Sequence, residues 1–231
     1  MKFSIVIPVY GSEKILAESY AAFTRAINAV TDDYEIIFRV DGSPDNSEAL
    51  LNGIAKKDKH VKVFVHRPNK GLGATLRKLF EDAQGEYVIY FDADSFLCFD
   101  LTFLQSMIDK VSDTDAVIVS RYFFNPLLPF HRWVASEAYY WLNKILFGIE
   151  IRDIGSGFVI FRKAALNKIT LRSEGFEIHS EIFVKLSKAG CKLKEVPLAY
   201  KHWSGGSFRF LKHGPKAVVA TFRLWMEMRR A

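Results

Sequence analysis

The stretch Glu86–Ser95, EYVIYFDADS, sets two carboxylates, Asp92 and Asp94, one small residue apart after an unbroken apolar run from Tyr87 to Phe91. Carboxylate oxygens are hard ligands that suit Mg²⁺ or Mn²⁺ and leave coordination positions for phosphate oxygens and water. A short apolar run of this kind predicts a strand buried on both faces, as in the middle of a parallel sheet. Acids at i and i+2 of an extended segment point the same way, and open α/β sheets bind ligands at the carboxyl ends of their strands. The stretch therefore predicts Asp92 and Asp94 as metal ligands acting on a phosphate-bearing substrate. An isolated acid-x-acid pair is more often a solvated turn; the buried strand before it favours the metal.

Cations that suit phosphate follow later in the chain. Arg121 closes the apolar run Ala116–Ser120, and Arg132, His202 and Arg209 come after it. An arginine fork matches phosphate oxygens. Each of these residues also reads as ordinary surface charge, Arg209 most of all and Arg121, at a strand end, least. Glu181 reads as a helix cap or an ion-pair partner. Lys70 reads as a phosphate contact or as a surface lysine. Gly71 and Gly73 read as a loop that lets backbone approach a ligand, or as a tight helix start. His179 reads as a solvent-facing residue.

The elements that must position these groups alternate along the chain. Apolar, β-rich runs at Phe3–Val9, Tyr34–Val40, Val61–His66, Tyr87–Phe91, Ala116–Ser120 and Leu193–Ala199 predict strands, with a further short strand in Asp153–Phe161. Apolar residues at helical spacing predict helices over about 15–30, 47–56, 73–83, 101–110, 132–147 and 175–189. Pro215 suits the start of a last helix, about 216–229. Strands and helices in this rhythm predict an α/β fold with right-handed crossovers, a mostly parallel sheet flanked by helices and amphipathic helices toward the C-terminus. The 132–147 and 216–229 helices carry Trp, Tyr, Phe and Met beside Arg and Lys. They suit docking on the sheet or on a membrane surface.

The totals narrow the class. The chain has 231 residues, 49% of them hydrophobic and 25% charged, with a net charge of +6. This is a globular composition, with a surplus of positive charge suited to a nucleotide, a phosphate or an anionic membrane surface. The surplus forms no long run and gives a nucleic-acid partner no support. Two cysteines, Cys98 and Cys191, do not make a disulfide framework or a zinc site. The opening residues do not read as a signal peptide, and no apolar run reaches the roughly 20 residues of a membrane-spanning helix. The expectation is a cytoplasmic protein, peripheral at the inner face of the membrane.

Several motifs stand in a recognisable order: Pro8-Val9-Tyr10, Asp41-Gly42-Ser43, Asn69-x-Gly71-x-Gly73 and Asp92-Ala93-Asp94. Further on come Ser120-Arg121-Tyr122, Arg132 with Ser136, Asp153-x-x-Ser156-Gly157-Phe158, Gly175-Phe176-Glu177-x-x-x-Glu181 and Glu195-Val196-Pro197. Over nearly its whole length the chain resembles the family 2 glycosyltransferases of GT-A fold, in particular the polyprenyl-phosphate branch typified by dolichol-phosphate mannose synthases. The resemblance implies a single GT-A-like domain over 1–231, with a nucleotide-binding half (1–121) and an acceptor half (122–231). It implies a metal-dependent, inverting transfer of a sugar from a nucleoside-diphosphate donor, GDP-mannose or a UDP-sugar, to a polyprenyl or dolichyl phosphate.

Carried over by position, Pro8, Tyr10, Glu13, Asp41, Lys70, Gly71 and Asp92 bind the nucleotide, and Asp92 and Asp94 hold Mg²⁺ or Mn²⁺. Asp94, Arg121, Arg132 and Glu181 are the catalytic set; Ser136, Ser156, His202 and Arg209 meet the acceptor. The chain departs from the family pattern at Val40, where an acid is common, at Ser95-Phe96 after the DxD, and at His202 and Phe208 in the late loop. Two other readings remain: a saccharide-hydroxyl acceptor with Glu181 as base, and a non-catalytic nucleotide-sugar-binding or membrane-adaptor protein.

Overall fold

The computed structural model describes residues 2–121, 130–199, 201 and 210–230; side chains are described for 2–121, 133–199, 201 and 213–229. The chain opens with strand β1 (Phe3–Val9), helix α1 (Glu13–Asn28), β2 (Tyr34–Asp41), α2 (Ser47–Ala55), β3 (Val61–His66), α3 (Leu72–Asp82) and β4 (Tyr87–Phe91). One helical turn, α4 (Ser95–Cys98), and a 3₁₀ turn lead to α5 (Leu104–Val111) and β5 (Ala116–Ser120). Then come α6 (Phe130–Phe147), β6 (Phe158–Arg162), α7 (Lys163–Leu166), α8 (Ile178–Lys188), β7 (Leu193–Pro197) and α9 (Phe210–Arg230).

The seven strands form one sheet in the order β3-β2-β1-β4-β6-β5-β7. All neighbours are parallel except β6, which runs antiparallel to both β4 and β5. That reversal matters for the site. Phe91, the last residue of β4, pairs with Phe158, the first of β6. The Gly-rich turn before β6 is thereby delivered to the carboxyl end of β4.

Apolar side chains cover both faces of the sheet, as the unbroken strand runs require. On one face Phe91 lies between Phe23 of α1 and Phe158, each ring centre 4.5 Å away. Truncating such a residue to Ala costs about 3–5 kcal/mol through lost contacts and the cavity left behind. On the other face α8 buries Ile178, Ile182, Phe183 and Leu186.

The last helix departs from the expectation. α9 starts at Phe210, and Pro215 lies inside it. An internal proline forfeits one backbone hydrogen bond. Packing against α6 and α8 offsets that loss: Ala217, Thr221 and Leu224 are buried, and the Tyr139 hydroxyl of α6 lies 3.0 Å from that of Thr221.

Candidate active site

The Asp92-Ala93-Asp94 segment is a turn, not the extended continuation of β4 that the i, i+2 argument assumed. The Ser95 amide donates to the Asp92 carbonyl at 2.9 Å, and Asp94 has φ −99° and ψ 4°. The turn is pinned to the loop before β6. The Asp92 amide and the Ser95 hydroxyl both donate to the Gly157 carbonyl, at 2.9 and 2.6 Å. Ser95 and Phe96 thus have structural roles: the hydroxyl fixes the turn, and Phe96 packs edge-on against Phe23. A Cβ on Gly157 would lie 2.3 Å from an Asp92 carboxylate oxygen, so only glycine leaves room for that carboxylate.

Both acids are only partly exposed. Burial raises the Asp92 carboxyl above the usual range, against the opposing pull of Tyr90 and Arg121. Burial, and then the charge of Asp92, push Asp94 up to about 6. Two repelling, partly desolvated carboxylates are a donor set that a cation would relieve.

Arg121 stands opposite them at the end of β5. Its backbone N–H and its Nε donate to Asp153 at 2.9 and 2.8 Å, and its Nη2 donates to Asp153 at 2.6 Å and to the Gly155 carbonyl at 3.0 Å. Asp153 is fully buried. Glu195 of β7 accepts from the amides of Arg152 and Asp153 at 3.0 and 2.7 Å, which fixes the loop in turn. The guanidinium is therefore preset by an anchor carboxylate, and its charge acts on both Asp92 and Asp94.

On the far side of β1, the Asp41 carboxylate accepts from the amides of Lys70 and Gly71 at 2.9 and 2.8 Å and from His66 at 3.0 Å. Gly71 needs its φ of +89° to make this turn. The loops after β1 and β2 are tied together. The Gly11 amide donates to Ser43 at 2.7 Å, the Glu13 amide to Asp45 at 2.9 Å, and Asn46 donates to the Glu13 carboxylate. Tyr10 stays 48% exposed at the mouth, and Pro8 is half-buried within β1.

A strap, residues 171–175, crosses over α3. The Gly73 amide donates to the Glu174 carbonyl at 2.8 Å, and Arg77 donates to the Ser173 carbonyl. A Cβ on Gly71 or Gly73 would come within 2.4 or 2.2 Å of strap carbonyl oxygens. These glycines admit the strap, a role the ligand-approach reading did not foresee. Glu181 holds the strap from below, accepting from the amides of Arg172 (2.9 and 3.0 Å) and Ser173 (2.8 Å) and from Lys185 (2.6 Å). It is buried. Burial works to raise its pKa, but the Lys185 and Ser173 contacts overcome this and hold it below the usual range.

A profile of Glycosyl transferase family 2 matches residues 4–170. The chain belongs to this family. It is similar to the glycosyltransferase AglD of Haloferax volcanii, at 25% identity over 87% of this chain and 33% of that protein. It is also similar to a dolichol-phosphate mannosyltransferase of Pyrococcus furiosus, at 28% identity over 92% of this chain and 62% of that protein. The chain thus spans about a third of the first relative and under two thirds of the second.

Among solved structures, glucosyl-3-phosphoglycerate synthase from Mycobacterium tuberculosis superposes with a TM-score of 0.68, at 18% identity over 96% of this chain and 78% of that one. Staphylococcus aureus TarS (residues 1–349) superposes with a TM-score of 0.62, at 19% identity over 97% of this chain and 64% of that one. The α/β sheet flanked by helices is the GT-A fold that these proteins share.

Other predicted residues of this family 2 chain fall elsewhere. Ser156 is fully buried and donates to the Val119 carbonyl at 2.6 Å, so it shapes the loop from beneath and does not face an acceptor. Lys70 is exposed, and Ser136 is half-buried on α6. Arg132 lies in α6, but its side chain is outside the described residues, as are His202 and Arg209. His179 is buried, contrary to the solvent-facing reading. Its Nε2 is 3.2 Å from the Tyr90 hydroxyl, which in turn donates to Asp92. Burial lowers its pKa to about 4, so the ring is neutral near pH 7. Sequence reasoning missed Tyr90, His66 and the anchoring role of Asp153. Only the last had a signal, its place three residues before Ser156-Gly157.

Among the described residues no third His, Cys, Asp or Glu joins Asp92 and Asp94. The pair suits a hard divalent ion that completes its shell with diphosphate oxygens and water. A crystal form of the mycobacterial synthase contains Mn²⁺ and UDP-glucose.

Proposed function

We propose that this chain is a metal-dependent, inverting glycosyltransferase that moves a sugar from a nucleoside diphosphate to a polyprenyl phosphate at the inner, cytoplasmic face of a membrane. Residues 1–121 take the nucleotide and 122–231 the acceptor, within one GT-A-like domain. Asp92 and Asp94 hold Mg²⁺ or Mn²⁺ on the diphosphate, where the ion stabilises the charge of the leaving group. Pro8, Tyr10, Glu13, Asp41, Lys70 and Gly71 frame the nucleotide side.

The observation that carries the reading is Arg121, held by the buried Asp153 beside two carboxylates. A preset guanidinium is what a phosphate acceptor requires, since it brings one anion toward another without a base. The competing hydroxyl reading requires Glu181 as base, and that carboxylate is engaged by two backbone amides and Lys185. The name of the Pyrococcus relative, dolichol-phosphate mannosyltransferase, adds support for a lipid phosphate.

Purified protein is given radiolabelled GDP-mannose or UDP-sugars, Mn²⁺ and polyprenyl phosphate, and the mixture is extracted into organic solvent. Label is expected in the lipid phase. Label only on a soluble saccharide would overturn the acceptor, and donor binding without turnover on any acceptor would overturn catalysis.

A further inference from the structure

Asp92 is reached from within the fold by Tyr90, and Tyr90 by His179, two side chains to which the donor and acceptor roles above assign nothing. Tyr90 lies two residues before it on β4 and is fully buried, with its hydroxyl donating to Asp92 Oδ1. His179, the second residue of α8, sets its Nε2 3.2 Å from the same hydroxyl. Its Nδ1 lies 3.1 Å from the Phe176 carbonyl. A carbonyl only accepts, so Nδ1 carries the ring proton and Nε2 presents a lone pair.

The single phenol proton thus faces two acceptors, Asp92 and His179. When Asp92 is a bare anion, the stronger, charged acceptor takes it. When a cation draws on the same carboxylate, the phenol keeps a second acceptor at hand and is not left unsatisfied in the core.

We propose that Tyr90 and His179 are a positioning pair for the Asp92 carboxylate: the Tyr90 phenol donates to the carboxylate, and the lone pair of His179 Nε2 gives that phenol its alternative acceptor. The inference rests on Asp92 and Asp94 being the metal ligands. Hydrogen bonds behind a ligating carboxylate or imidazole orient it and tune its affinity, and their loss typically costs about 10–100-fold. The pair also ties the metal end of the site to the start of α8, two residues before Glu181 grips the strap.

The test measures Mn²⁺ binding to the full chain directly, from the paramagnetic resonance signal of free Mn²⁺, with UDP in one arm and GDP in another. Tyr90→Phe keeps the ring and removes only the hydroxyl. It is expected to weaken Mn²⁺ binding about 10-fold or more, with far-UV dichroism unchanged. His179→Leu is expected to do the same, and the double variant to be no worse than Tyr90→Phe alone. In His179→Gln the amide can accept from the phenol in place of Nε2, so binding is expected to stay within about threefold of the parent.

A pair that merely fills the core predicts variants that melt earlier but superpose on the parent Mn²⁺ curve, and that result would overturn the proposal. Asp94→Asn separates the two levels. If it abolishes Mn²⁺ binding while Tyr90→Phe changes nothing, the metal site stands and the positioning pair is refuted. If it too leaves binding intact, the metal assignment itself is wrong.

Discussion

At the scale of single residues, the site is a meeting of charges that each need a partner. Burial raises the proton affinity of both Asp92 and Asp94, and the charge of Asp92 adds to the push on Asp94, while Gly157 clears the space in which the Asp92 carboxylate sits. Arg121 supplies a counter-charge to both acids, but it is held by Asp153, to which its guanidinium donates. A fixed arginine next to two acids leaves an opening for a mobile cation and an anionic ligand together, not for either alone. Asp94→Asn keeps the side-chain volume and removes one charge from this balance. The expected outcome is transfer reduced by at least about 10³-fold with no recovery on adding Mn²⁺, because ion-mediated stabilisation of the leaving group is worth several kcal/mol. A metal titration of product formation checks it; a variant with the parent rate and the parent metal response would rule out Asp94 as a ligand.

At the scale of elements, the 171–175 strap and helix α8 link the two halves of the site. Glu181 satisfies two strap amides, while Gly71 and Gly73 let the strap lie against α3. Glu181→Gln offers those amides one acceptor oxygen fewer and breaks the ion pair with Lys185. Leaving a buried donor unmet costs about 1–3 kcal/mol, so urea unfolding should show a loss of that size, with faster proteolysis at the strap. Transfer should fall modestly, whatever the acceptor. A general base would behave in the opposite way, with stability kept and the rate down by about 10²–10⁴.

Helix α8 also shows what the sequence could and could not reveal. Its apolar spacing was plain, as were the strand runs, because burial of a strand or a helix face imposes a local period. His179 was misread because its partner Tyr90 is 89 positions away, and Tyr90 itself sits unmarked inside an apolar run. The antiparallel course of β6 was equally invisible, since direction depends on the route through α6 and not on strand composition. The turn at Asp92–Asp94 was hidden for a related reason: the Gly157 carbonyl that pins it comes from that same β6 turn.

At the scale of the molecule, the long helices α6 and α9 lie against each other, and each leaves apolar side chains outside. Trp141 is 52% and Ile145 77% exposed on α6; Val218, Val219, Phe222 and Met226 are exposed on α9. Lys144 lies 5.5 Å from the Trp141 ring centre and Arg229 4.1 Å from that of Trp225. Aromatic residues with cations over their faces suit the boundary between lipid headgroups and acyl chains. Among the described residues no helix is long and apolar enough to cross a membrane; the proposed function sets the pair on the membrane surface. The net charge of +6 adds attraction to anionic lipid. A lipid-linked phosphate has its head in water and its chain in the bilayer, so a transferase that lies on the headgroups meets it without extracting it. The triple variant Trp141→Ser, Ile145→Ser, Phe222→Ser removes three exposed anchors, each worth about 1–2 kcal/mol when inserted. Binding to phosphatidylglycerol-containing liposomes, read by co-sedimentation, should fall by at least tenfold, a factor that corresponds to about 1.4 kcal/mol. Transfer to a short-chain, water-soluble prenyl phosphate should persist, because none of the three residues belongs to the Asp92–Asp94 and Arg121 site. Undiminished liposome binding would remove α6 and α9 as the membrane face, and loss of transfer to the soluble acceptor as well would place these helices in the acceptor site itself.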